Sequence, residues 1–196
     1  GFEQFRTWCD EAGYYVYHID MQLAHLNVPQ FRDRLWCYPV RKDVANKMGA
    51  ISLRRPQLEE PPQIGRFLLQ NTAYYTIVAK ITDVNVDTSQ VHQKFKPHLV
   101  GTVTIDDPDC GEQAHQLWGE RGLSPCIRTR NRIMIAMGND VVEIEVEGLA
   151  ALQEIQLAEL PNNRDAARAA IGISINRRMH EYAVTQAAIY ANKFLV

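Results

Sequence analysis

The stretch Arg132–Glu147 constrains the fold more than any other part of the chain, because local sequence there sets strand, face and turn together. Ile133, Ile135 and Met137 alternate with Arg132, Met134 and Ala136, and Val142, Ile144 and Val146 alternate with Glu143, Glu145 and Glu147. Both halves have the two-residue period of a half-buried strand. Gly138-Asn139-Asp140 lies between them, and such residues tolerate the positive φ of a tight hairpin turn. With Asn139 and Asp140 as the two turn residues, Met137 is predicted to face Val142, Ile135 to face Ile144 and Ile133 to face Val146. The same register sets Arg132 against Glu147 on a solvated outer face. A slip of one residue would place every apolar side chain against a charge, so the pairing is well specified.

The rest of the chain is read around this hairpin. Residues 1–53 are expected to form an N-terminal, mainly helical segment, and residues 54–65, with three prolines, a connector. Residues 66–196 are expected to hold an antiparallel sheet core with a C-terminal helix, the whole making one compact domain. Tyr14–Leu23 fits either a strand or a helix. Asn27 with Gln30 resembles a capping box before an apolar stripe of Val28, Phe31, Leu35 and Trp36, which predicts a short helix. A second short helix over Arg41–Met48 would end at Gly49. Strands are predicted over Tyr74–Val86 and Leu99–Ile105, and a short helix from Asp109 to Trp118. Leu149–Leu160 reads as helical. Pro161-Asn162-Asn163 then opens the longest helix, reaching about Phe194 with a weak point at Gly172 and a stripe of Ile175, Met179, Tyr182, Gln186 and Ile189. The fold class is therefore α+β: a mostly antiparallel sheet of about four to six strands with N-terminal helices and a long C-terminal helix. An OB-like barrel is the main variant.

Composition narrows the setting more than the function. Apolar residues make up 46% and charged residues 22%, as in an ordinary globular protein, and the net charge of −2 gives no overall push toward nucleic acid or acidic membrane. No apolar run is long enough for a membrane span and no signal peptide is visible, so a soluble protein is expected, cytoplasmic or virion-associated rather than secreted. The start at Gly1-Phe2 reads as a processed terminus, a tag scar or an excised fragment. Cys9, Cys37, Cys110 and Cys126 include no C-x-x-C pair, which is wrong for zinc and sparse for a disulfide scaffold. Buried free thiols are expected, with two disulfides as the alternative.

No Walker loop, G-x-G-x-x-G, G-x-S-x-G or H-E-x-x-H is present. His18-Ile19-Asp20 has the form of the first two ligands of a two-His-one-carboxylate iron site, and His92, His98, His115 or His180 could serve numerically as the third, but no cosubstrate-binding motif follows. Asp106-Asp107-Pro108-Asp109, with Glu112 and His115, is the densest acidic cluster, and Asp106, Asp107 and His115 are its candidates for a metal-dependent hydrolase or nuclease. Capping and turn formation explain most of it. Cys110 beside His115 lacks an orienting third residue for nucleophilic catalysis. The segment Arg121–Arg132 holds four arginines and no acid. Arg121, Arg128 and Arg130, with Tyr74, Tyr75 and Phe95 as stacking surfaces, make a candidate nucleic-acid interaction surface. With no catalytic or metal motif and no cofactor implied, the leading expectation is a non-catalytic structural or assembly module of a larger complex. It would bind protein partners or copies of itself, with nucleic acid as the second candidate partner.

Overall fold

The structure is a computed structural model and describes residues 1–89, 91, 98–107, 111–128 and 132–192. Helix α1 (Phe2–Glu11) leads into β1 (Tyr14–Gln22), which pairs antiparallel with β2 (Asp33–Arg41). Thus the N-terminal segment is not mainly helical, and the helix predicted over Val28–Trp36 is absent. The 3.6-residue stripe there is overridden by β1, whose alternating Ile19 and Met21 are buried. Asn27 does not cap a helix; it takes a left-handed conformation (φ 60°) at the end of a single 3-10 turn. Helix α2 (Lys42–Met48) follows and ends at Gly49 with φ 71°, as its sequence predicted.

After α3 (Ile64–Leu68) the chain builds a six-stranded sheet from β3 (Tyr75–Lys80), β4 (Val86–Asp87), β5 (Leu99–Asp107), β6 (Gly111–Gly119), β7 (Met134–Met137) and β8 (Asp140–Ile144). Their order across the sheet is β3-β8-β7-β6-β5-β4. All neighbours are antiparallel except β6 and β7, which run parallel with Leu117 opposite Met134. The expected class, α+β with a mostly antiparallel sheet and a long C-terminal helix, is what forms. The sheet stays open, with β3 and β4 at its edges, and does not close into the OB-like barrel. The helix predicted to end at Trp118 is strand β6, because Gly111–Gly119 pairs with β5 along its whole length. Asp109 and Cys110 lie outside the described residues.

The hairpin forms, but in a register two residues from the predicted one. Met137 pairs with Asp140, Ala136 with Val141 and Ile135 with Val142. The turn residues are Gly138 and Asn139, with Gly138 at φ 59° in the first position, where a type II′ turn requires glycine. A shift of two preserves which face each side chain takes, so alternation alone cannot detect it.

The outer face is not solvated either. Ile135, Val142 and Ile144 enter the larger core, and Met134 and Val141 enter a second core with Val103, Ile105 and Leu117. Glu143, on the face expected to meet water, is 5% exposed. Its carboxylate accepts from Arg132 Nε at 2.9 Å and from Arg168 Nη2 at 2.7 Å. Arg132 therefore answers Glu143, while Glu147 stands in the first turn of α4 (Val146–Gln153).

Helix α5 (Arg164–Ile173) starts where predicted, with Asn163 Oδ1 accepting from Asp165 N and Ala166 N, both at 3.0 Å. The single long helix is in fact two. The chain breaks at Ser174–Asn176 and resumes as α6 (Arg177–Asn192). Of the predicted stripe, Met179 is buried and Tyr182 packs on the core, but Ile175 and Ile189 are exposed. Among the described residues no helix is long and apolar enough to cross a membrane.

Candidate functional site

The chain places its most unusual polar groups at a buried joint. Gln30, Ser124, Gln153 and Asn176 are fully buried and Arg32 is 5% exposed. Residues 29–32 reach the segment after β6 through a parallel bridge between Gln30 and Ser124. Phe31 N donates to Ser124 O at 2.7 Å, and Ser124 N donates to Pro29 O at 2.8 Å. Arg32 Nη2 donates to Ser174 O at 2.8 Å, and Asn176 Nδ2 to Leu152 O at 2.7 Å, so the break between α5 and α6 is tied into the same joint. Asn176 Oδ1 also accepts from Met179 N at 3.2 Å, capping α6.

Not all of this network is satisfied. Gln153 Nε2 approaches Gln30 Oε1 at 3.4 Å, yet Gln30 Nε2, Gln153 Oε1 and Arg32 Nη1 are buried without a hydrogen-bond partner. Groups of this kind cost roughly 1–3 kcal/mol each and persist where something besides packing requires them. Burial, with the Arg34 charge, lowers the pKa of the Arg32 guanidinium, and Cys126 opposes that shift. Sequence reading missed this joint. The alternation Gln30, Arg32, Arg34 was the available signal, but it lay in a stretch read as helix.

The joint fixes the arginine segment. Ile64 N donates to Gly122 O and Gly65 N to Glu120 O, both at 2.8 Å, while Leu123 and Ile127 are buried. Arg121 and Arg128 stand exposed at the two ends of this anchored run, and neither forms an ion pair among the described residues. Arg121 lines a cleft of about 720 Å³ with Thr88, His98, Val100, Gly119 and Gly122. Gly122 is required there: a Cβ would come within 2.2 Å of His98 Cγ. Gly122→Ala is therefore expected to expel the His98 ring from the cleft. The imidazole resonances of His98 report this, and an unmoved signal would contradict the packing described.

The other sequence candidates are not brought together. Tyr74 stacks on Phe67 (5.1 Å between centroids, 16° between planes), and Tyr74 and Tyr75 both pack on the larger core, three strands from β6. Arg130 and Phe95 lie outside the described residues. Asp106 pairs with Glu112 and His115 with Val103, so Asp106 and His115 fall on opposite faces of the β5–β6 ribbon. Asp107 pairs with Gly111 at the far end of that ribbon. No group of three metal-binding side chains converges among the described residues. Cys9, Cys37 and Cys126 are free, half-buried thiols, and burial raises the pKa of Cys37.

Comparison with known proteins places the fold. No family model matches the chain and no curated protein matches it by sequence. Among solved structures, the Dnmt2 methyltransferase of S. pombe matches 97% of this chain and 61% of its own, with a TM-score of 0.55 and 12% identity. The methyltransferase EhMeth of Entamoeba histolytica matches 95% of this chain and 58% of its own, with a TM-score of 0.51 and 10% identity. What is shared is the fold. The chain spans about three-fifths of the length of these two proteins. The likeness runs against the expectation of a non-catalytic structural or assembly module, since both of these structures are of methyltransferases.

Proposed function

We propose that this chain serves in methyl transfer by holding the methyl acceptor, a nucleic-acid strand, along the Arg121–Arg128 segment. The observation that carries the reading is the fold shared with two methyltransferases over nearly the whole chain. The acceptor class is argued from charge. Arg132 and Arg168 are answered by Glu143, whereas Arg121 and Arg128 have no carboxylate partner among the described residues and face solvent. Guanidinium groups carried on an anchored segment suit the phosphates of a nucleic-acid strand. Buried tethers on both sides of the segment keep it from collapsing onto the sheet.

The methyl donor fits less well. S-adenosylmethionine supplies an activated methyl group on a sulfonium cation. The described clefts present Arg121, Arg54 and Arg55 with Asp20, or Arg6 with Glu3 and Asp10 to whatever enters them. Each of these carboxylates already faces a cation, Asp20 with Arg55, Glu3 with Arg6 and Asp10 with Lys42, so in this reading the sulfonium is held by other residues of the enzyme or by a companion protein chain. That companion is the protein partner the proposal implies.

Two measurements test the proposal. Titration of the chain with S-adenosylmethionine alone should show no heat of binding, and micromolar affinity would overturn the division of labour. Titration with a single-stranded oligonucleotide at low salt should show binding that weakens steeply as salt rises. For Arg121→Gln with Arg128→Gln, the slope of log K against log salt should fall in magnitude by about 1.4, the contribution of two phosphates. An unchanged slope, or no binding at 50 mM salt (about a 14 Å screening length), would remove the acceptor assignment.

A further inference from the structure

A second cleft, of about 720 Å³, lies along the β1–β2 hairpin, away from the arginine segment. Its walls are His18 and Asp20 of β1 on one side and Leu53, Arg54, Arg55 and Gln57 on the other. His18 and Asp20 are two residues apart on a strand and so share a face. They are the pair whose spacing suggested a metal site, but the opposite wall brings two guanidinium groups to them and no third ligand. The imidazole is steadied by the Phe2 ring, edge-on at 4.9 Å. The opposite wall is steadied by α6, because the Tyr182 hydroxyl donates to the Arg54 carbonyl.

The charges in this cleft do not balance. Asp20 reaches only Arg55, at 3.9 Å, with both side chains more than half exposed, so the pair is weak. Arg54 has no carboxylate partner among the described residues. Two guanidinium groups, an imidazole and the Gln57 amide thus converge against one carboxylate. Guanidinium forks match a tetrahedral oxyanion, whose several oxygens let both forks bind at once; a phosphate monoester offsets both cations with its two charges, and a phosphodiester offsets one.

We propose that this cleft binds a phosphate group. The assignment goes beyond the methyl-acceptor reading and stands without it. The phosphate is either that of a free phosphate ester or one in the backbone of a nucleic-acid strand. Arg54 and Arg55 hold the oxygens, Gln57 donates from the side, and Asp20 competes for Arg55.

The test reads His18 directly, in the full chain with labelled histidine, during titration with inorganic pyrophosphate. Saturable movement of the His18 imidazole signals is expected. Arg54→Gln with Arg55→Gln should weaken binding at least tenfold, and Asp20→Asn should tighten it about threefold, as competition for Arg55 is removed. All three side chains are exposed, so the variants are expected to fold, and unchanged circular dichroism checks this. A single-stranded oligonucleotide titrated against the same signals separates the two sources: the tighter of the two probes identifies the phosphate. Signals unmoved by either probe, or a double variant that binds within twofold of the parent, would overturn the assignment. Because the readout sits at His18, its failure is distinct from a failure at Arg121.

Discussion

Replacing Glu143 with alanine is expected to cost about 3 kcal/mol of folding stability, the lower part of the range for removing one member of a buried ion pair. The variant leaves Arg132 and Arg168, with side chains 25% and 18% exposed, facing each other with their shared carboxylate gone. Burial alone would raise the Glu143 pKa. The hydrogen bond from Arg132 and the charges of Arg168 and Arg132 outweigh burial and hold it below the ordinary 4.5. The sign of the pH dependence follows. A carboxylate with a depressed folded pKa contributes stability that is fully present above its unfolded pKa and is lost as pH falls through the folded value. The gap between wild type and Glu143→Gln in urea denaturation should therefore be flat between about pH 7 and pH 5 and shrink in more acid solution. A gap that widens as pH falls would mean that the carboxylate is not held ionised by the two arginines.

Gly148→Ala is expected to be the second severe change, although alanine favours helix over glycine by about 1 kcal/mol. Gly148 lies in the first half of α4, where the helix crosses the backbone of Tyr74. A Cβ there would come within 2.5 Å of Tyr74 O and 2.9 Å of Ile144 Cγ2. Neither neighbour can retreat easily: Tyr74 O accepts from Glu145 N at 2.9 Å, and Ile144 is fully buried at the end of β8. Overpacking of this kind costs about 3 kcal/mol or somewhat more. It should appear as a lower urea midpoint with an unchanged slope. A midpoint equal to that of the wild type would show that α4 can shift along the sheet.

These two sites show where the sequence was legible. Alternation over Arg132–Ile144 disclosed two strands and the face of each side chain, because period two is a local property. The register needed the knowledge that Gly138 would take the first turn position, and neighbouring Asn139 and Asp140 offered an equally good turn by composition. The fate of Glu143 depended on Arg168, twenty-five residues along and on another helix. The same holds at the candidate site. Gln30 meets Gln153 across 123 residues, and Arg32 meets Ser174 across 142. No window of sequence contains both partners, so each polar residue alone looked like a helix surface or a loop. Strand β1 was ambiguous for another reason. Its aromatic and branched residues satisfy both periods, and only burial of Ile19 and Met21 against a distant core decides between them.

The lone parallel contact between β6 and β7 sets the mechanical character of what joins them. Antiparallel neighbours need only a reversal, but parallel ones oblige the chain to travel back along the sheet before re-entering it, over roughly a dozen residues. Here the chain leaves β6 at Gly119 and re-enters the sheet at Met134, and the described part of the return, residues 120–128, carries the Ser124 bridge. The arginines are therefore carried on a strut whose length is dictated by the sheet. Added residues at Gly138–Asn139 would release the bonds from Ile81 N to Asn139 O and from Gly138 N to a Glu120 carboxylate oxygen. Added residues in the strut would slacken the spacing of Arg121 and Arg128, so a protein of this topology can vary the sequence of its arginine segment far more readily than its length.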